Sequence, residues 1–174
     1  MPTPSTPINL SFIEPCSPIL VAEPPGGERW IHEIKHDGFR TQLIISGREV
    51  KAFTRNGYDW SERYRPVIVA GAMLECHSAI IDGEMIVQRE DGTSDFEALS
   101  AIIRRAPKRL LFYAFDLLHL NGQDLRDLPL LERRELLREL IRTDRQSPIQ
   151  FSDHVAGDGP QFCHPMPDPF DFAF

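Results

Sequence analysis

The chain has 174 residues, 41% hydrophobic and 26% charged, which supplies a packed core and excludes a wholly disordered polymer. Its formal net charge of −7 gives no sign of a surface built mainly for a polyanion. No apolar run is long enough to span a bilayer, and the N-terminus lacks the basic and apolar regions of a signal peptide, so a cytoplasmic protein with no membrane partner is expected.

In chain order, residues 1–25 are rich in Pro and Ser and predict an extended lead-in. Residues 26–159 predict one α+β domain. After Gly26-Gly27, strands are expected over residues 30–36, 41–45 and 50–54, with Gly47 in the turn between the last two. A helix over 61–74 and a strand over 79–87 follow, and Asp91-Gly92 turns the chain. Ser94 and Glu97 have the spacing of a capping box, which predicts a helix running to about residue 105. A strand over 110–118 ends at Asn121-Gly122, and leucines at helical spacing with interleaved Glu and Arg predict a helix over 129–142. Residues 160–174 are broken by prolines, rich in Phe, and without period.

Cys16, Cys76 and Cys163 are odd in number and far apart, so they read as ordinary thiols, not as a disulfide framework or a zinc site. The six histidines form no paired motif, and His32 and His36 read as strand residues. Arg104, Arg105, Lys108 and Arg109 form a cationic cluster, and Arg63 and Arg65 fall in the helix predicted over 61–74. Phosphate contact and a solvated helix end both account for such groups.

The chemistry concentrates in Lys35-His36-Asp37-Gly38-Phe39-Arg40, a K-x-D-G-x-R sequence. A lysine ammonium, with an ordinary pKa of about 10.4, cannot attack phosphorus until its charged form is disfavoured by its surroundings or by neighbouring cations. Arg40 and a metal ion could supply those cations. Gly38 permits positive φ and a close approach of main chain to a ligand, and Asp37 could orient Lys35 or hold the turn. The competing reading is a two-strand turn with an Asp-Gly corner and solvated charges.

Glu84 lies in the apolar run 79–87, where an inward carboxylate needs a cation, a hydroxyl or a metal. Taken alone, it fits equally the solvent face of an alternating strand. Phe112 and Phe115 share a strand-like run. Phe112 reads as core; one aromatic of the run could lie beneath a nucleobase, and a one-place error in strand phase would exchange the two. Arg55 precedes the turn pair Asn56-Gly57.

Taken together, these segments resemble the covalent nucleotidyltransferases, and most of all the adenylation domain of bacterial ATP-dependent DNA ligases. Lys35 to Arg40 is similar to the family's first motif. Phe53-Thr54-Arg55-Asn56-Gly57 resembles the segment whose arginine reaches the bound nucleotide or the nick phosphate. Ile81-Asp82-Gly83-Glu84 resembles the third motif, and Phe112-Tyr113-Ala114-Phe115-Asp116-Leu117-Leu118 the one that carries the adenine-stacking aromatic. The resemblance implies an α+β fold of ATP-grasp-like type, with antiparallel sheets and flanking helices. It implies Lys35 as the nucleophile that takes AMP from ATP, with Arg40 and Arg55 on phosphates and Phe115 on the base. Glu84 would serve ribose and Mg2+, and Glu33 would help recognise adenine. The implied partner is nicked double-stranded DNA, in repair or recombination.

The family continues through a metal-binding glutamate, two triphosphate-binding lysines and an OB-fold domain, whereas Glu139 and Lys108 are the last residues of their types here. Likeness extends through Gln150 to Val155 and Gly157-Asp158-Gly159, then stops. The expectation is therefore an incomplete adenylation domain without an OB-fold, with a divergent tail over 160–174 and weakened activity. Alternatives are a non-catalytic nucleotide- or DNA-binding remnant, or an RNA ligase or guanylyltransferase of the same superfamily.

Overall fold

The computed structural model describes residues 10–19, 21, 25, 27, 29–142 and 146–157. Its elements in chain order are β1 (Ile31–Glu33), β2 (Phe39–Ser46), β3 (Glu49–Thr54), α1 (Arg65–Gly71), β4 (Ser78–Val87), α2 (Phe96–Arg105), a 3-10 turn (Pro107–Arg109), β5 (Leu110–Leu120), β6 (Gln123–Asp124), α3 (Leu130–Ile141), β7 (Ile149–Phe151) and β8 (His154–Ala156). The fold is the expected mixed one, with antiparallel sheets and few helices. Two compact units divide the chain, the first of Met1–Glu14 with Asp37–Phe151 and the second of Pro15–His36 with Ser152–Phe174.

The first unit is built on a six-stranded sheet of order β3-β2-β4-β5-β6, with β7 added in parallel to β5. Alternation along β2 and β4 sends Leu43, Ile45, Ile81, Met85 and Val87 into one core, joined by Phe112 and Leu117 of β5. Val67, Leu99, Ile103, Leu137 and Ile141 bring α1, α2 and α3 onto that core. The opposite side of the same strands carries Gln42, Ile44, Ile80, Asp82, Glu84 and Ile86, so β4 is buried on both faces and only its polar pair, Asp82 and Glu84, breaks the apolar run. Gly47 takes φ +61 in the two-residue loop between β2 and β3, while Asn121 (φ +48) and Gly122 (φ +92) close β5 onto β6 as a type I′ turn requires.

Three predicted boundaries move. The helix expected over 61–74 shortens to Arg65–Gly71, because residues 61–64 turn and Pro66 starts the helix in its first turn. The expected capping box at Ser94 and Glu97 is replaced by Asp95, whose carboxylate accepts from the Ala98 amide; Ser94 is instead held in a β-bridge to Gln88. The strand expected over 30–36 is three residues long. β6, β7 and β8 are strands the sequence pattern did not reveal.

The lead-in also packs. Phe12 lies 6.1 Å from the Phe53 ring, and the buried Gln42 amide accepts from Ile13 N (2.8 Å) and donates to Ile13 O (3.0 Å), serving as a strand partner. In the second unit β1 pairs antiparallel with β8, with His32 opposite Val155. The His32 ring donates from Nε2 to the Gly157 carbonyl at 2.9 Å, and His36 Nε2 meets Ser152 Oγ at 3.2 Å. Residues 1–9 and the tail 160–174 with Cys163 lie outside the described residues. Among the described residues, no helix is long and apolar enough to cross a membrane.

Candidate functional site

The polar side of β4 organises a cluster in the first unit. Asp82, whose side chain is only 5% exposed, accepts from Arg40 Nε at 2.8 Å and Nη2 at 2.9 Å, a two-point grip that fixes the guanidinium plane. Burial works against the Arg40 charge, but the hydrogen bond and charge of Asp82, with Glu84 and Asp116 adding to them, outweigh it and raise the Arg40 pKa above its ordinary value. Glu84 stands directly opposite Arg40 in the β2–β4 register and opposite Tyr113 in the β4–β5 register. The Arg40 guanidinium carbon lies 4.5 Å from the centre of the Phe115 ring, within cation–π range. The third motif of the resemblance and the Phe112–Leu118 segment thus meet Arg40 of the first on one sheet face.

Alternation from the core residues Phe112 and Ala114 puts Phe115 on this face, and a β-bulge at Phe115 brings Asp116 onto it as well. Asp82 pairs with Asp116 and Gly83 with Ala114, so Phe115 is the extra residue of β5 between two paired ones. A second shift, between Ile80 and Ile81, leaves Leu118 unpaired in the same way. The phase of β5 changes here: Phe112, Ala114 and Leu117 all face the core although 114 and 117 are three residues apart. Phe112 is fully buried and is a core residue, as its run suggested, whereas Phe115 is half-buried. Gly83 makes room for this packing, since a Cβ there would meet the Phe112 ring and Tyr113 O at 2.6 Å.

Gly38 is required for a different reason from the one its motif suggested. Its φ is not positive, and the close approach it permits is to β4: a Cβ would fall 2.2 Å from Met85 O. The boundary between the two units runs inside the motif, after His36. Lys35 and Glu33 therefore belong to the second unit, both exposed, Glu33 at the end of β1 and Lys35 just beyond it. Arg55 is exposed in the turn closed by Gly57 N to Thr54 O at 2.8 Å, in the first unit. Arg40, Glu84 and Phe115 are brought together on this face, whereas Arg55 lies in the turn after β3 and Lys35 and Glu33 lie in the second unit.

A magnesium ion is compatible with the donors present. Mg2+ bound to a nucleotide uses one or two protein carboxylates and takes its other ligands from phosphate and water. No group of three or more His, Cys, Asp or Glu converges among the described residues, and Arg40 and Arg133 each grip a carboxylate, those of Asp82 and Asp116. The cationic cluster sits exposed at the C-terminal end of α2 and in the 3-10 turn, where positive charge complements the helix dipole. Arg63 lies in the turn before α1, 4.5 Å over the Trp60 ring, and not in the helix.

Sequence reasoning gave no role to Asp82, Asp116, Arg133 or Arg134. Asp82 and Asp116 lie inside segments that carry the resemblance, and Arg133-Arg134 in a helix whose pattern is only amphipathic. No local pattern shows that Arg133 grips Asp116 through Nε (2.8 Å) and Nη2 (2.9 Å), because the partners are 17 residues apart.

The architecture is that of the adenylation domain of a DNA ligase. Residues 16–161 match the family described as ATP dependent DNA ligase domain. The multifunctional non-homologous end joining protein LigD of Pseudomonas aeruginosa is 39% identical over 148 residues, 84% of this chain and 18% of its own length. DNA ligase C of Mycobacterium tuberculosis is 35% identical over 162 residues, 85% of this chain and 44% of its own. The ligase domain of M. tuberculosis LigD superposes with a TM-score of 0.63 at 27% identity, over 75% of this chain and 42% of that one. Mycobacterial DNA ligase D complexed with ATP and MES gives a TM-score of 0.62 at 27% identity, over the same shares. The chain belongs to the ATP-dependent DNA ligase domain family, and it spans less than half the length of these relatives.

Proposed function

We propose that the chain contributes the self-adenylation chemistry of a DNA ligase. Lys35 Nζ, deprotonated, attacks the α-phosphorus of ATP; an N–P bond forms, the bond from that phosphorus to the bridging oxygen breaks, and pyrophosphate departs with the electron pair. AMP then passes from Lys35 to the 5′-phosphate at a DNA nick, and the neighbouring 3′-hydroxyl displaces it to seal the strand. Arg40 keeps Nη1 outside its two hydrogen bonds to Asp82 and directs it to phosphate. Phe115 is the platform for adenine, on the ring face that Arg40 leaves open. Glu84 receives the ribose hydroxyls, Glu33 assists adenine recognition, and Arg55 meets the nick or nucleotide phosphate. Mg2+, held mainly by the triphosphate with Glu84 as its protein carboxylate, would offset negative charge as pyrophosphate leaves.

The observation that carries this reading is the convergence of Arg40, Glu84 and Phe115, from three separate sequence segments, on one polar face of a family-matched sheet. The test is intact-mass spectrometry after incubation with ATP and magnesium, beside Lys35→Ala and a GTP control. A gain of one AMP with ATP alone, lost in the variant, is expected. A folded chain that gains no AMP, or gains it equally without Lys35, refutes the proposal.

A further inference from the structure

The edge of β5 away from β4 is only partly covered by strands. β7 pairs with Phe112 to Ala114, and β6 pairs with His119 and Leu120. Between them lies the bulge, and α3 fills that gap with two consecutive arginines. Arg134, wholly buried, donates from Nη1 to the Phe115 carbonyl at 2.8 Å, supplying the bulge with a hydrogen bond that the ladder to β7 and β6 does not give it. Arg133, 14% exposed, grips both carboxylate oxygens of Asp116 and also donates to Leu128 O at 2.7 Å. Leu117 N caps the same Asp116 Oδ1 at 2.8 Å.

Charge balance gives this grip a second consequence. Asp116 is the cross-strand partner of Asp82, and two carboxylates facing each other across a sheet repel. Each is neutralised from its own side, Asp82 by Arg40 and Asp116 by Arg133. The Arg40 guanidinium, which lies on Phe115, also feels Asp116. Without Arg133, Asp116 would compete with Asp82 for Arg40, and the contact between Arg40 and the Phe115 ring would change.

We infer that Arg133 and Arg134 are positioning residues for the nucleotide: from α3 they hold the bulge that aims Phe115 and, through Asp116, the charge balance that sets Arg40. The inference rests on Phe115 as the base platform, but the clamp itself can be tested apart from that role. Arg134 is anchored from behind by the Phe151 ring, 4.9 Å away, which Arg138 also covers at 4.7 Å, so the side chain that reaches the bulge is braced on β7.

Two readouts on the same chain test this. Arg133→Met should accelerate amide hydrogen exchange about tenfold in peptides covering residues 113–118, leaving β2 and β3 as in the parent. It should also weaken ATP binding, measured by titration calorimetry, by about tenfold, the size usual for partners in one hydrogen-bond network. In a Phe115→Ala background the same substitution should weaken ATP no further, a coupling that a general loss of stability would not produce. Arg133→Lys, which keeps the charge but not the planar fork, should fall between, and it takes over the comparison should Arg133→Met not fold. Unchanged exchange over 113–118 overturns the inference, as does an equal loss of ATP affinity with and without Phe115. If Phe115→Ala binds ATP like the parent, the platform reading fails, and the exchange data alone decide the clamp.

Discussion

Gly38→Ala tests whether the first motif is held by strand packing. The added methyl would lie 2.2 Å from Met85 O and 2.7 Å from Ile86 Cγ2, where Cβ atoms essentially never come closer than 3.0 Å, so β2 and β4 must part by about 0.8 Å. The nearer atom is backbone and cannot rotate away. Overpacking of this kind costs about 1–3 kcal/mol, and strained ladder bonds near the Phe39–Met85 pair add about 1 kcal/mol. The expected loss is therefore about 2–4 kcal/mol, or roughly 5–15 °C in Tm for a chain of this size. Gly47→Ala is the control: nothing lies within 4 Å of its Cβ, and only the positive φ is penalised, by about 1–2 kcal/mol. Urea denaturation and thermal melting measure both. A Gly38→Ala chain within 0.5 kcal/mol of the parent, or no less stable than Gly47→Ala, would refute the account, the threshold being roughly that of an ordinary surface substitution.

Phe112→Ala and Phe115→Ala should separate: the first removes a fully buried ring and costs about 3–5 kcal/mol of stability, while the second spares most stability and weakens ATP binding by the ~1–3 kcal/mol typical of base stacking, read by denaturation and calorimetry. Asp82→Asn should destabilise by about 1–3 kcal/mol in urea, less than a fully buried pair, because the Arg40 side chain is 30% exposed. Burial pushes the Tyr64 hydroxyl up to about 12 from 10.0. The folded-state pKa is raised, so the stability held by the neutral phenol is complete below pH 10.0 and is lost as pH rises to about 12. Stability measured across that window should fall more steeply in the parent than in Tyr64→Phe.

Much of the fold was legible because the local signals agreed with the tertiary outcome. The Asn121-Gly122 pair, the glycine at 47 and the apolar run of β4 all led to the elements observed. Of the short strands only β1 was expected, and as a longer one; β6, β7 and β8 were not legible. β7 and β8 have three residues each and β6 two, too few for a period of two to register, and β7 and β8 exist because a distant partner holds each. Asp95 took the cap from Ser94 because a β-bridge to Gln88 fixed Ser94 first, an event no local spacing encodes.

The strand that carries Phe115, the proposed adenine platform, shows where alternation fails on physical grounds. A regular strand through Phe112 and Ala114 would send Asp116 into the core and Leu117 out to the polar face. That arrangement would bury a carboxylate among Leu and Ile side chains and expose a leucine, both unfavourable. The bulge at Phe115 avoids it: one extra residue restores Leu117 to the core and leaves Asp116 where Arg133 can reach it, while the Phe115 ring stays beside Arg40. The irregularity therefore leaves Phe115 on the polar face where alternation from Phe112 already puts it, and adds Asp116 to that face. The residues that stabilise the bulge, Arg133 and Arg134, follow it in the chain by more than a dozen positions. A sequence search for the bulge gains by asking which phase of β5 keeps Leu117 inside with Phe112 and Ala114 and puts Asp116 within reach of an arginine, because only the shifted phase satisfies both.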